Sequence, residues 1–216
     1  RGGFPGRLLV TAYGLHEAPL GHAEGLVGLI DRGVKGDAAL VMEGPPAITV
    51  VCGKGQSIWT LRLARQGVSC HELRRSPHDD GLLDAATALA RALREEDGRL
   101  ARQEHRFSLL GPESIFVGQL HYGDFYNRSP VSAMLQGTRR WHPDKGYDEV
   151  RDDFARLVAR TALPRGISVE PAWTFVGESF SVDPAERIVR CFREATRLLE
   201  GAPYPLGGVS SILDTS

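Results

Sequence analysis

Two glutamates lie in Gly- and Pro-rich loops that each follow a short apolar run. Glu17 stands in Gly14-Leu-His-Glu-Ala-Pro-Leu-Gly21, and Glu43 follows the run Ala38-Ala-Leu-Val-Met. An open α/β sheet presents its functional side chains in loops of this kind. Carboxylate oxygens are suitable ligands for divalent metal ions. The pattern therefore predicts a metal site in outline, with solvated or helix-capping carboxylates as the alternative.

The segments around these glutamates predict how a fold could bring them together. Residues 7–12 and 38–42 have the apolar runs of strands, and residues 24–32 have apolar side chains at helical spacings. A right-handed crossover places both loops at the same edge of a sheet. We therefore expect the two carboxylates to lie within about 8 Å of each other, close enough to flank a pair of metal ions roughly 3.5–4 Å apart.

From about residue 56 the pattern changes to a β–α–β–β–α–β series, the order of a ferredoxin-like domain. Alternating apolar residues predict strands at 57–63, 114–122, 131–138 and 167–176. Apolar residues at helical spacing predict helices at 82–93 and 147–160.

A last helix is predicted at 185–199, because Asp183-Pro184 is a typical helix start. Its apolar stripe should face inward and consists of Ile188, Cys191, Phe192, Ala195 and Leu199.

Five segments, in this order, resemble those of the di-zinc amidohydrolases that include aminoacylase, acetylornithine deacetylase, succinyl-diaminopimelate desuccinylase and the glutamate carboxypeptidases. The two glutamate loops are similar to the family's Glu-Glu and Asp-x-x-x-x-x-Glu-Pro loops. The other three segments are Gln66-Gly-Val-Ser-Cys-His71, Tyr122-Gly-Asp-Phe-Tyr-Asn-Arg-Ser-Pro130 and Gly137-Thr-Arg-Arg-Trp-His-Pro143.

The resemblance implies an α/β fold: a partial zinc-peptidase-like catalytic domain, at 1–55 and 178–216, with an inserted ferredoxin-like lid and dimerisation domain at 56–177. The family's remaining ligands normally lie upstream of Glu17 and downstream of Ser216. We therefore expect the chain to be the middle of a longer enzyme and to be inactive by itself.

The resemblance also implies two Zn²⁺ ions, with Glu43 a terminal ligand of one and Glu17 of the other; Co²⁺ or Mn²⁺ are alternatives. His16 takes the place of the family's general base, which is a glutamate. Three interpretations stay open. His16 acts as the base, since imidazole accepts a proton near neutral pH; the loop is shifted and Glu17 is the base; or the chain catalyses poorly or differently.

Three residues of the inserted domain have implied roles toward the substrate. His71 matches a histidine that reaches the active site of the partner subunit and stabilises the tetrahedral oxyanion. Asn127 can hold a substrate carbonyl or oxyanion, and Arg140 can bind a substrate carboxylate in bidentate fashion. The alternatives are a structural histidine, a turn-forming asparagine and a surface arginine. For the neighbouring Arg139 we expect a surface position.

Composition is that of a soluble cytoplasmic hydrolase. The formal net charge is −1 with 25% charged residues, so no basic field indicates nucleic acid or an anionic membrane. The three cysteines are scattered and are expected to be small buried hydrophobes. No apolar run approaches the roughly 20 residues that span a bilayer.

These observations predict a metal-dependent hydrolase that cleaves an amide or peptide bond in a small N-acyl amino acid or dipeptide-like substrate. The resemblance implies a homodimer, because the family's inserted domain often dimerises. The competing interpretation is a non-catalytic binding or dimerisation homologue of the same fold. A nucleic-acid-binding ferredoxin-like module is disfavoured, because the candidate strand 114–122 has only Phe116 and Tyr122 as aromatics and little positive charge.

Overall fold

A computed structural model describes residues 6–15 and 23–211 of the protein. The chain divides into two compact units. The first takes in the residues up to 49 together with 183–205, and the second takes in 50–182 together with 206–211.

The described residues form a mixed α/β structure with four α-helices. The helices are α1 (Glu24–Asp31), α2 (Gly81–Arg102), α3 (Tyr147–Arg160) and α4 (Arg187–Glu200). The strands are β1 (Thr49–Gly53), β2 (Gly55–Arg65), β3 (Cys70–His71), β4 (Ser114–Tyr122), β5 (Arg128–Ser129), β6 (Ser132–Trp141), β7 (Ile167–Gly177), β8 (Phe180–Ser181) and β9 (Leu206–Val209).

Four long strands of the second unit form an antiparallel sheet in the order β4-β6-β2-β7. Along the chain its elements run β2, α2, β4, β6, α3, β7, which is the series expected from the sequence. A second sheet of three short strands has the order β8-β1-β9, and β3 pairs with β5. The long sheet matters most for the site, because its two ends carry the predicted substrate-binding residues.

Alternation along the strands puts one face of the long sheet into the core. Trp59, Leu61 and Leu135 are fully buried there, against apolar residues of α2 and α3 such as Leu89 and Phe154. A stripe of leucines and alanines at helical spacing forms the buried side of α2, which explains its length and its position on the sheet.

Gly137 lies opposite Trp59 in the β2–β6 pairing. A Cβ atom at Gly137 would overlap the carbonyl oxygen of Phe116 and the indole of Trp59, so the large indole is accommodated because its neighbour has no side chain.

The first unit differs from the sequence prediction. Residues 7–12 and 38–42 are not strands in the described part of the chain. Their apolar side chains include Val10 and Met42, which are 87% and 94% exposed. A strand needs a neighbouring strand to pair its backbone groups, and neither segment has one among the described residues. The prediction of two parallel strands was therefore wrong for these residues.

Helix α4 forms close to its predicted bounds, but its buried side is not the predicted one. Val189 and Thr196 are its buried residues, whereas Leu199 is 82% exposed. Cysteine burial is likewise mixed, because Cys52 is buried and Cys191 is exposed. Spacing alone places an apolar stripe only to within about one residue's rotation, roughly 100° around the helix.

Candidate active site

Two of the predicted site residues meet at one end of the long sheet. We call residues 66–74 and 123–130 the tip. His71 lies in β3, which pairs with β5 next to Asn127. The imidazole Nε2 of His71 and the side-chain amide of Asn127 are 3.1 Å apart, and the backbone N–H of Glu72 donates to the carbonyl oxygen of Asn127 over 2.9 Å. His71 is exposed and Asn127 is half-buried, so the pair is accessible.

The contacts of the His71 ring define which nitrogen carries the hydrogen. The backbone N–H of Leu73 donates to Nδ1 over 3.3 Å, so in the neutral ring Nε2 is the N–H donor. The amide of Asn127 then meets Nε2 with its oxygen, since amide oxygen and nitrogen are assigned from their partners. This orientation leaves the amide NH₂ group of Asn127 available. Asn127 therefore has free N–H donors, and the Nε2–H of His71 joins them when a substrate oxygen replaces the Asn127 oxygen as its acceptor, which gives the donor set that an oxyanion requires.

Arg65 holds the two halves of the tip together. Its side chain is only 5% exposed and its Nη1 lies 2.8 Å from the carboxylate of Asp79. Nε donates to the carbonyl oxygen of Pro130 over 2.8 Å, and Nη2 donates to that of Val68 over 3.2 Å. Charge-assisted bonds from one buried guanidinium to both segments restrict the position of the His71–Asn127 pair.

Arg140 lies at the opposite end of the same sheet. Strand β6 starts just after the tip at Ser132 and reaches Arg140 eight residues later, a rise of roughly 26 Å. The Arg140 guanidinium donates to the carbonyl oxygen of Ser210, and partial burial lowers the pKa of Arg140. Among the described residues no carboxylate forms an ion pair with it, so this cation is available to an anionic ligand.

Arg139 is buried, so the surface position predicted for it was wrong. Alternation turns Arg139 to the face opposite Arg140, where its guanidinium pairs with the carboxylate of Glu113. Glu113 is 7% exposed, and the Nζ atom of Lys145 lies 2.9 Å from the same carboxylate. Burial by itself raises the pKa of Glu113, but the charges of Arg139 and Lys145 outweigh it and the pKa is lowered.

Glu113, His142 and Asp144 offer ligand atoms that lie within 4.8 Å of one another. In position this group could hold a metal ion. The carboxylate of Glu113 is, however, already neutralised by Arg139 and Lys145, so a divalent cation would meet two positive charges. The charges balance without a metal, and we interpret the cluster as a buried ion network.

The free energy of unfolding should fall as the pH drops below about 6.5, because of His142. Burial lowers the pKa of His142 from its ordinary 6.5; its Nε2 faces the carbonyl oxygen of Gly111 at 2.7 Å. Below pH 6.5 the unfolded chain therefore binds a proton that the folded chain does not, and stability decreases. Urea denaturation between pH 7 and about 5 checks this. The dependence should be shallower in His142→Gln, and equal slopes would contradict the assignment.

Glu43 is half-buried in a loop of the first unit. The next residue, Gly44, has φ of 119°, a conformation that favours glycine. His16 and Glu17 lie outside the described residues, so the approach of Glu17 to Glu43 stays a prediction. In the described part of the chain no group of three metal-ligating side chains includes Glu43. The described residues around Glu43 do not by themselves complete a zinc site.

Two residues that organise the sheet ends were missed from the sequence. Arg65 ends a strand pattern, and Glu113 precedes one, so both resemble ordinary solvated charges. A signal was present for Glu113, because its partner Arg139 occupies an inward position in the alternation of β6 and a buried charge needs a partner.

No protein-family model and no curated protein sequence matches the chain. Solved structures do match its fold. A tripeptidase from Staphylococcus aureus is 18% identical with a TM-score of 0.60, over 90% of this chain and 49% of that protein. An M20 family metallo-carboxypeptidase from Sulfolobus solfataricus is 14% identical with a TM-score of 0.62, over 90% and 64%. An amidase of the hydantoinase/carbamoylase family from Burkholderia phymatum is 18% identical with a TM-score of 0.55, over 76% and 39%.

The structural neighbours are thus M20 metallopeptidases and amidases, in agreement with the resemblance based on the five sequence segments. At these identities the likeness establishes the fold. The chain spans 49% of the length of the tripeptidase and 39% of the length of the amidase. Among the described residues, none of the helices is long and apolar enough to cross a membrane.

Proposed function

We propose that the chain is part of a metal-dependent hydrolase that cleaves the amide or peptide bond of a small N-acyl amino acid or dipeptide-like substrate. The observation that carries the proposal is the contact between His71 and Asn127, whose side chains lie 3.1 Å apart at an accessible tip. The second support is the fold, which is similar to that of peptidases and amidases.

Roles in the first unit follow from the resemblance. Glu17 and Glu43 would each hold a zinc ion, and His16 or Glu17 would accept a proton from the attacking water. Zinc, when bound, supplies a hydroxide at neutral pH and polarises the substrate carbonyl. Carboxylates suit this role because their charge offsets that of the metal ions.

Roles in the second unit also come from the resemblance, and its geometry supports them. His71 and Asn127 donate hydrogen bonds to the carbonyl oxygen, and these bonds strengthen as negative charge develops on it. Arg140 binds the carboxylate of the substrate, since its guanidinium has no acidic partner in the described part of the chain.

The distance between the two groups supports a role for a second copy of the chain. Within one copy Arg140 is roughly 26 Å along the sheet from the tip, too far for one small substrate. We propose that the two groups act on one substrate across a homodimer, with His71 and Asn127 from one subunit and Arg140 from the other.

Strand β4 is the edge that suits such a dimer. Its nine residues contain no lysine, arginine, acidic residue or proline, and Phe116 and Leu120 are 62% and 46% exposed. The opposite edge, β7, carries Glu170 and Pro171, and a charged residue and a proline on an edge strand disfavour its pairing with another strand. An unguarded apolar edge favours pairing with another strand, and we assign it to the same strand of a second copy.

Antiparallel pairing of two β4 strands explains the separation within one copy. A two-fold axis near Gly118 puts Tyr122, at the tip end, beside Ser114 of the partner subunit. Ser114 pairs with Arg140 on β6. The tip of one copy then lies two to three strand spacings, roughly 10–15 Å, from the backbone of Arg140 of the partner subunit. The long Arg140 side chain and the His71 side chain reach toward each other across this distance, so that one N-acyl amino acid can contact both.

Mixing two inactive variants of the full-length protein tests this arrangement. After His71→Ala and Arg140→Ala subunits are unfolded together and refolded, half of the dimers are mixed. Each mixed dimer has one site with both native residues, so activity should recover to about a quarter of the native level. If both residues act within one copy, every site retains a defect and no activity returns.

A control separates dimer formation from chemistry. Phe116→Lys puts a charged side chain on the apolar edge, where it faces the apolar Leu120 of the partner subunit, and should yield monomers in light scattering. Thr174→Lys on the guarded edge β7 should leave the dimer intact. A native protein that is monomeric at assay concentration would contradict the composite site.

The second candidate function is that of a binding homologue without hydrolytic activity. His16 favours this alternative, because it stands where the family has the glutamate that serves as general base. The zinc-loaded full-length protein should be screened on N-acetyl amino acids and dipeptides. Measurable binding without turnover of any of them would replace the hydrolase by this alternative.

A further inference from the structure

Large exposed apolar side chains lie next to the polar pair in the two segments of the tip. Val68 and Leu73 flank His71 and are 79% and 86% exposed, while Phe125 and Tyr126 precede Asn127 and are 55% and 88% exposed. We call these four residues the collar. Scattered exposed apolar residues are normal, but four of them on the two short segments that carry one polar pair indicate a binding surface.

The collar is held in place by the tip rather than being loosely attached. The rings of Phe125 and Tyr126 are 4.5 Å apart between centroids, and the guanidinium of Arg128 lies 5.9 Å from the centroid of Phe125. Arg128 is itself ion-paired with Asp124. An ordered aromatic pair loses little conformational entropy when it binds a ligand.

Apolar surface around a few convergent polar groups is the usual composition of a small-molecule site. If His71 and Asn127 hold the carbonyl oxygen, the groups on either side of that carbonyl point in opposite directions. The amino-acid side carries the carboxylate toward Arg140 of the partner subunit. The acyl group, on the other side of the carbonyl, therefore lies at the tip next to the collar.

We infer that the collar binds the acyl group and selects substrates whose acyl group is large and apolar, aliphatic or aromatic, over acetyl. The inference rests on the proposed function, because it takes the carbonyl position from the roles of His71 and Asn127. Burial of a long acyl chain against the collar removes apolar surface from water and so favours binding, whereas acetyl has little such surface to bury.

N-hexanoylglycine and N-acetylglycine test the inference in the full-length protein, since they differ only in the acyl group. The native protein should prefer the hexanoyl compound in kcat/KM. Tyr126→Ser and Leu73→Ser should each reduce that preference by about 10-fold or more, because contacts to the chain are lost. Leu83→Ser, at an exposed apolar position on α2, is the matched control and should leave the preference unchanged.

Equilibrium binding of both compounds separates this inference from the proposed function. Tighter binding of the hexanoyl compound that Tyr126→Ser removes, without hydrolysis of either compound, would uphold the collar and contradict the hydrolase. Hydrolysis with an unchanged preference in both variants would uphold the hydrolase and overturn the collar. A weakened dimer with unchanged preference would assign these side chains to the subunit contact, and failure to bind either compound would also overturn the inference.

Discussion

Replacement of His71 by alanine in the full-length protein should lower kcat by about 10²–10³-fold, the usual effect of removing one oxyanion donor. KM should change little, because the hydrogen bond from Nε2 strengthens only as charge develops on the substrate oxygen. Steady-state kinetics on the best N-acyl amino acid measures both constants. Glu72→Ala is the control, since this neighbouring side chain is exposed in the same tip and should leave kcat unchanged.

Arg140→Lys should have the opposite signature. The bidentate bond from Arg140 to the substrate carboxylate acts in the ground state and the transition state alike, so its weakening should mainly raise KM.

For His71→Ala, a large rise in KM with unchanged kcat would show that His71 binds the substrate without stabilising the oxyanion.

Glu113→Gln should lower the free energy of unfolding by about 3–5 kcal/mol, the usual cost of removing one partner from a buried ion pair. The side chains of Glu113 and Arg139 are 7% and 5% exposed, so the guanidinium would keep its charge without a counter-ion. Lys145 is 22% exposed and can turn toward water. Urea denaturation at neutral pH measures the loss.

Asp153→Asn is the matched control, because Asp153 pairs with Arg156 on the surface of α3 and is 50% exposed. Its loss should cost less than about 1 kcal/mol. Equal effects of the two substitutions would contradict the buried network. Stabilisation of the native protein by Zn²⁺ that Glu113→Gln abolishes would contradict the interpretation of the cluster as an ion network without a metal, since the substitution removes one anionic ligand.

Local patterns in the sequence predicted the second unit well. Helix α3 has its predicted bounds, Tyr147–Arg160, and β4 has the predicted bounds Ser114–Tyr122. The reason is that alternation and helical spacing report which side chains face a core, and each of these elements buries one face. Residues 7–12 and 38–42 have similar apolar runs without forming strands, because pairing depends on neighbours that lie elsewhere in the chain.

The sequence by itself determined the order of the elements in the second unit and, through motif resemblance, the fold to which solved peptidases and amidases are similar. It also singled out His71, Asn127 and Arg140. Only the tertiary structure decided that His71 and Asn127 meet at 3.1 Å and that Arg140 lies at the other end of the sheet. Such distances depend on strand pairing between residues far apart in the chain, for which local spacing carries no information.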